Sequence, residues 1–389
     1  MKKTKVITLF SGVGMQELGF DTAGLDYDLI NYCEFEKKPA KGFALFHNVS
    51  EDLNLGDITK VNEDDYFNKL VSDGNQDIDI MISSFPCQAF SAAGSRKGFD
   101  DPTRGTLFFD TMRLANKIKP SVLIFENVKG LTNHDGGNTL KVIEQKVLDS
   151  GYKIYYRILN SIYFDIPQNR ERWFAVCIRE DLDHGEFYFP NGEMTDKCVA
   201  DFLESNINER KKTARMTPIL ADLLSGVRPK VNYNSNVGLQ KVYDGIKQGD
   251  FKGGFTRTGI FSIYGTTPTL IKPNENHFLE INGRLTPKER MRLMGVDDKY
   301  TDRLIDSGEF SEREIDAIAG NGLVVNVFDA LIQEVYKYMG WIDGENINTD
   351  ITKKKKAKKV EKIDLVETTE PSCETEFLVD TEDDDKFWD

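Results

Sequence analysis

The stretch Val6-Ile7-Thr8-Leu9-Phe10-Ser11-Gly12-Val13-Gly14-Met15-Gln16-Glu17-Leu18-Gly19-Phe20 reads as a buried strand running into a glycine-rich turn that opens a helix. Glycines in such a turn permit tight bending and let a ligand approach the backbone, and an acidic residue about 20 positions on is suited to hold ribose hydroxyls. Glu34 stands there, after the strand-like Leu29-Ile30-Asn31-Tyr32-Cys33. Gly-x-Gly also occurs in ordinary strand-to-helix turns, and Met15 takes the place where many cradles have a third small residue. The nucleotide-type reading therefore needs support from the rest of the chain.

That support comes from repetition. Gly56-Asp57-Ile58 follows the next expected strand region, Pro86-Cys87-Gln88 follows the apolar run Ile78-Asp79-Ile80-Met81-Ile82-Ser83, and Glu126-Asn127-Val128 follows Val122-Leu123-Ile124-Phe125. In a doubly wound, mostly parallel α/β sheet this order gathers Phe10, Glu34, Asp57, Cys87 and Glu126 along one edge. Any one of the acids fits a helix N-cap, but five such placements in order are hard to attribute to capping alone. An isolated intracellular cysteine is commonly buried and inert. At the carboxyl edge of a sheet, nearby positive charge or backbone N–H groups favour the thiolate, and Cys87 becomes a nucleophile.

With the ordered motifs Phe10-Ser11-Gly12-Val13-Gly14, Pro86-Cys87-Gln88, Glu126-Asn127-Val128, Gln168-Asn169-Arg170-Glu171-Arg172 and Gly320-Asn321-Gly322, the chain resembles the DNA cytosine-5 methyltransferases from about Lys5 to about Tyr338. The resemblance implies a class I S-adenosylmethionine-dependent methyltransferase fold with a second, smaller β-rich DNA-recognition domain. It implies S-adenosylmethionine as methyl donor, S-adenosylhomocysteine as product, and a cofactor site drawn from Phe10, Ser11, Gly12, Gly14, Glu34, Asp57, Ile58, Pro86, Leu107 and Asn321. It further implies Cys87, Glu126, Arg170 and Arg172 as catalytic residues, the two arginines orienting the base and its phosphate, while Gln168 and Glu171 hold the loop. Departures fall at Met15, where the family usually has Gly, and at Gly322, where it usually has Ser or Ala; both bear on cofactor packing.

The chemistry requires these residue types together. Cytosine C5 is a poor nucleophile until something adds at C6, so Cys87 would attack C6 while a protonated Glu126 donates to N3. Glu126 must then be neutral at working pH, through burial or through protonation coupled to base binding. A base inside a duplex cannot expose C6, so the resemblance also implies base flipping, at an unstacking cost of roughly a few kcal/mol. The polar, glycine-rich run Ser91 to Thr106 reads as a mobile loop. It offers Ser91, Ser95, Arg96 and Lys97, with Gln88 before it, as DNA contacts, against the plainer reading of a solvated surface loop. Thr269 resembles the first member of the family's Thr-Leu pair, and Arg257 is placed either for bidentate contact to guanine or for an ordinary phosphate contact.

Composition has to be reconciled with a DNA partner, because the 389 residues carry a formal net charge of −14. From Glu361 to Asp389 there are 12 acidic and 2 basic residues, which leaves a net of only −4 on everything before. A local basic face is what phosphates need, and Arg210, Lys211, Lys212, Arg215, Lys252, Arg257 and Lys272 are available for one. The expected organisation is a catalytic and cofactor-binding domain over 1–185, target recognition over 186–283, a return segment with a C-terminal helix over 284–345, and a disordered charged tail over 346–389. The tail reads either as a solvated segment, as a competitor for the DNA groove, or as a peptide for another protein.

Five cysteines without a CxxC pair, and four histidines without ligand spacing, predict neither a disulfide framework nor a metal site. Without an apolar run of about 20 residues or a signal peptide, a cytoplasmic monomer without membrane contact is expected. Its partners would be double-stranded DNA and, in a restriction-modification setting, a cognate restriction endonuclease acting on the same site. A tRNA cytosine-5 methyltransferase shares the chemistry, but its substrate region is typically short.

Overall fold

The computed structural model describes residues 1–86, 107–205, 209–212, 216–228, 230, 233–234, 238–244, 247, 259–272 and 276–342. Cys87, Gln88, Ser91, Ser95, Arg96, Lys97 and Arg257 lie outside the described residues, as does the whole tail. Met1–Asn348 forms one compact unit, and the segments assigned above to catalysis, recognition and return are parts of it.

The chain opens with β1 (Thr4–Leu9), α1 (Met15–Ala23), β2 (Tyr27–Cys33), α2 (Lys37–His47), α3 (Glu63–Ser72), β3 (Ile80–Ser83), α4 (Leu107–Ile118) and β4 (Val122–Val128). It continues with α5 (Asn138–Asp149), β5 (Tyr152–Asn160), β6 (Gln168–Asn169) and β7 (Glu171–Arg179). Six of these strands form one sheet in the order β2-β1-β3-β4-β7-β5. The first four are parallel, and β7 runs antiparallel to both β4 and β5. Tyr152–Asn160 and Glu171–Arg179 are thus the last two strands of the sheet.

Alternation along each strand feeds two cores. Val6, Ile80, Ile82, Val122, Ile124, Val176 and Ile178 belong to one apolar cluster. Their neighbours Ile7, Leu9, Met81, Leu123, Phe125, Ala175 and Cys177 belong to the other. A sheet covered on both faces has near-continuous apolar strands, which is why these segments show no polar alternation. The strand expected before Gly56 is reduced to a single bridge between Tyr32 and Asn54. There the Asn54 side chain takes over the pairing, accepting from the Glu34 and Gly56 amides and donating to the Glu34 carbonyl.

Beyond the sheet come α6 (Thr217–Leu224), β8 (Tyr233–Asn234), β9 (Gln240–Asp244), β10 (Gly259–Phe261), β11 (Thr267–Pro268) and β12 (His277–Phe278). A small sheet of order β12-β10-β9-β8 packs with α6 around Met216, Leu220, Leu223, Tyr243 and Ile260. This is the small β-scaffold predicted for the recognition segment. The chain then returns through α7 (Pro287–Arg292), α8 (Asp298–Asp306), α9 (Glu312–Asn321) and α10 (Val325–Tyr338). The apolar stretch Glu312–Tyr338 is long enough to cross a bilayer, but it is broken between α9 and α10 and more than half of it is buried.

Helix α10 packs back beside the first strand. Its Phe328 and Tyr336 rings meet Phe20 of α1 at 5.9 and 6.2 Å, and the Tyr336 hydroxyl bonds Thr4 of β1. Gly19 makes the approach possible, since a Cβ there would lie 2.6 Å from the Phe328 ring.

A buried cation ties the returning segments to the sheet. Arg170 is 2 % exposed, and its guanidinium donates to the carbonyls of Leu270 (3.0 Å), Gly320 (3.1 Å) and Gly322 (2.5 Å). Beside it Gln168 accepts from the Leu270 amide and donates to the Leu293 carbonyl. Strand β11 pairs in parallel with β6 in the same place. Arg170→Met keeps most of the bulk but strands three buried carbonyls, so a loss of about 3 kcal/mol or more is expected in denaturant unfolding.

Candidate active site

Strand register sets the chemistry in a row. Cys33, Leu9, Ser83 and Phe125 are aligned across β2, β1, β3 and β4. The next residue on each strand is Glu34, Phe10, Ser84 and Glu126. All four line one cleft of about 860 Å³ at the carboxyl edge of the parallel strands. Ser11, Gly12, Asp57, Ile58, Pro86, Leu107, Asn321 and Arg172 line it as well, so most of the site residues expected from sequence converge there.

The glycine turn starts with Phe10 at φ 56° and Gly12 at φ 57°, both left-handed. This conformation turns the Gly12 amide onto a Glu34 carboxylate oxygen at 2.9 Å, and the Glu36 amide bonds the other oxygen at 2.8 Å. Burial pushes the Glu34 pKa up, while these backbone donors pull it back. Nothing lies within 4 Å of where a Gly12 side chain would begin. Asp57 caps the turn Ile58–Lys60 by accepting from the Thr59 hydroxyl and amide, and the Thr59 hydroxyl bond holds its carboxyl below the usual range.

Gly14 has a different place from the one expected. It is absent from the cleft wall, and at φ 83° a Cβ would fall 2.2 Å from His47 Nε2 and 2.7 Å from the Phe43 ring. It serves the packing of α1 on α2. Burial lowers the His47 pKa to about 4, keeping the ring neutral beside the Val13 and Gly14 carbonyls.

At the other end of the cleft, Glu126 pairs with Arg172, whose Nε lies 3.2 Å from its Oε1. The register Glu126↔Phe174 and Val128↔Arg172 makes them diagonal neighbours on one face of an antiparallel pair. Burial raises the Glu126 pKa, opposed by Arg172, then by Arg170 and a bond from Ser84. The base of the Pro86 turn is held by Asn127, whose amide donates to the Phe85 carbonyl at 3.1 Å. Arg170 was expected to orient the base; it is instead the buried brace described above, and only Arg172 reaches the cleft. Thr269 does not line the cleft, and its hydroxyl donates to the Asn169 carbonyl at 2.6 Å.

Of the anticipated basic face, the Arg210 side chain is buried, Lys211 is exposed and Lys212 is half-buried. Arg210 forms a buried ion pair with Glu289, and Lys211 pairs with Glu312. Arg215, Lys252 and Arg257 lie outside the described residues. Lys272 remains exposed and lines the cleft. Sequence reasoning missed Phe35, a ring 72 % exposed on the cleft wall, although its position next to Glu34 was a readable signal. It also missed Phe310, which reaches the wall from a distant segment. No cluster of metal-ligating side chains occurs among the described residues.

The model of the C-5 cytosine-specific DNA methylases matches residues 4–337. The chain belongs to this family of enzymes. It is 30 % identical to the type II methyltransferase M.HhaI of Haemophilus parahaemolyticus over 342 residues, covering 85 % of this chain and 94 % of that protein. It is 44 % identical over 186 residues to the orphan methyltransferase M.SPRI of Bacillus phage SPR, an alignment covering 48 % of this chain and 40 % of the relative. A similar match to the orphan methyltransferase of Bacillus phage rho11s, 42 % identical, spans 47 % of this chain and 34 % of the relative. The chain thus spans well under half the length of these two phage relatives.

The fold is shared with a Dnmt2 methyltransferase of S. pombe (TM-score 0.59, 18 % identity, 86 % of this chain and 99 % of that one). It is also shared with a putative DNA modification methyltransferase from an E. coli prophage (TM-score 0.60, 19 % identity, 87 % and 100 %). The mixed sheet with helices on both faces is accordingly the class I methyltransferase fold.

Two departures from the family pattern prove to be one. A Cβ at Gly322 would lie 2.2 Å from Met15 Sδ and 2.8 Å from its Cε, so the bulk carried at position 15 fills the space a side chain at 322 would need. Both residues line the cleft. Gly322→Ala is expected to displace the Met15 thioether and destabilise the fold by about 1–3 kcal/mol. The double variant Met15→Ala/Gly322→Ala should recover most of it, as denaturant unfolding of the wild type and both variants will read.

Proposed function

We propose that this chain transfers a methyl group from S-adenosylmethionine to C5 of a flipped cytosine in duplex DNA through a covalent bond between Cys87 and C6. One observation carries the reading: a single cleft holds a nucleoside-type carboxylate, Glu34, near one end of its strand row and the buried acid Glu126 with Arg172 at the other. The residues fit the cofactor. The Gly12 amide and Glu34 form an adenosine-type cradle open to the cleft, Asp57 is ionised, and Phe35 offers a ring face to a purine. Glu34 would hold the ribose hydroxyls. When bound, the cofactor supplies the electrophilic methyl group.

The remaining steps fall to the chain's own residues. The Cys87 thiolate adds to C6, and the N3 nitrogen takes the proton of Glu126, so that C5 becomes the nucleophilic end of an enamine. Arg172 holds the Glu126 carboxyl in place and offsets the charge left on it. After methyl transfer the C5 proton departs to base, the sulfur is expelled from C6, and N3 returns its proton to Glu126. Pro86 and Leu107 flank the segment that carries the nucleophile, and both face the cleft. The relatives include proteins named type II methyltransferases and others named orphan methyltransferases. These names support a role in restriction-modification or host-defence protection, with or without a cognate endonuclease.

Labelled methyl should enter duplex DNA and not tRNA, and base-resolution sequencing should find it at cytosine C5. Label in tRNA alone would overturn the substrate. A 5-fluorocytosine duplex should trap the wild type covalently, while Cys87→Ser should lose the trapped complex and retain cofactor binding.

For Glu126 the neutral form is the active one and burial raises its pKa, so the single-turnover rate should fall as pH rises through that raised value. Glu126→Gln cannot exchange a proton with N3. Its rate should drop about 100-fold or more and the alkaline limb should flatten.

A further inference from the structure

Three cationic side chains line the cleft among the described residues: Lys38, Arg172 and Lys272. Lys38 donates to the Glu309 carbonyl and faces Glu314, and Arg172 is committed to Glu126. Lys272 is exposed and forms no ion pair among the described residues. Its backbone, by contrast, is fixed from below. Leu270 is held at both its amide and its carbonyl by Gln168 and Arg170, and the Ile271 carbonyl accepts from the buried Arg290 at 2.9 Å. The platform is closed by Gly320, where a Cβ would lie 2.9 Å from the Lys272 backbone nitrogen.

A flexible cation on a rigid base, at the wall of a cleft that also holds Glu126, is suited to an anionic oxygen group. We propose that Lys272 grips a backbone phosphate of the DNA strand whose base enters the cleft. This rests on the function proposed above. The phosphate reading is favoured because Lys272 belongs to the recognition segment that joins the cleft to the small sheet. Of the other basic residues expected to supply phosphate contacts, Arg210 and Lys211 are engaged with carboxylates, Lys212 does not line the cleft, and Arg215, Lys252 and Arg257 lie outside the described residues. A nucleotide that places its base against Glu126 must leave its phosphate outside, and a lysine at the wall neutralises it without reading sequence. The carboxylate of the methyl donor is the other group with the same chemistry.

The test uses the full chain with a duplex labelled for fluorescence anisotropy, titrated at several salt concentrations, and S-adenosylhomocysteine in a parallel calorimetric arm. For Lys272→Gln the slope of log K against log salt should become shallower by about 0.9, with weaker DNA binding at low salt and unchanged S-adenosylhomocysteine affinity. Lys272→Arg should restore the wild-type slope. An unchanged slope overturns the assignment, and an unchanged slope with lost S-adenosylhomocysteine affinity reassigns the lysine to the cofactor carboxylate. Methylation by the wild type is measured on the same duplex. If the wild type methylates and the slope does not move, only the lysine assignment fails; if it transfers no methyl to DNA, the function proposed above fails with it.

Discussion

The buried guanidinium of Arg170 is the constraint on which the rest depends. It is the point where the end of the sheet, the segment around Leu270 and the returning helices meet, and it binds three backbone carbonyls. A cation in such a place is stable because its hydrogen bonds replace the water it lost. One side chain thereby fixes both the wall of the cleft at Gly322 and the platform under Lys272. Its neighbour Arg172, two residues on, faces the cleft instead. The two arginines of one motif thus sit in different settings, one bracing the backbone and the other lining the cleft.

Much of the cleft was legible because it is built from local rules. Apolar runs ending in a polar residue gave the strands, and parallel register turned those endings into a row. The acids Glu34 and Glu126 followed from that alone. What could not be read was any role decided by a partner distant in sequence. Gly14 looks like part of a cradle until His47 is seen beside it. Arg210 looks like a phosphate contact until Glu289, far along the chain, is found to bury it. The strand before Gly56 fails because an asparagine side chain makes the bonds a ladder would make, and no periodicity reports that.

The exchange between Met15 and Gly322 is of the same kind. Each residue alone departs from a pattern, and their contact explains both. The Met15 thioether occupies the space that a side chain at 322 would need. Close packing makes such paired changes a natural solution, since either one alone leaves a void or a clash.

The pairing of α1 with α10 carries a consequence for how the protein is made. These helices lie roughly 300 residues apart along the chain, and at about 5 to 20 residues per second the ribosome needs roughly 15 to 60 s to pass from one to the other. Throughout that interval Phe20 of α1 has its neighbour Tyr27 but lacks the Phe328 and Tyr336 rings. The intervening segment with its own small core has time to assemble first. Synthesis therefore passes through a stage in which an apolar nascent surface waits for the last helix.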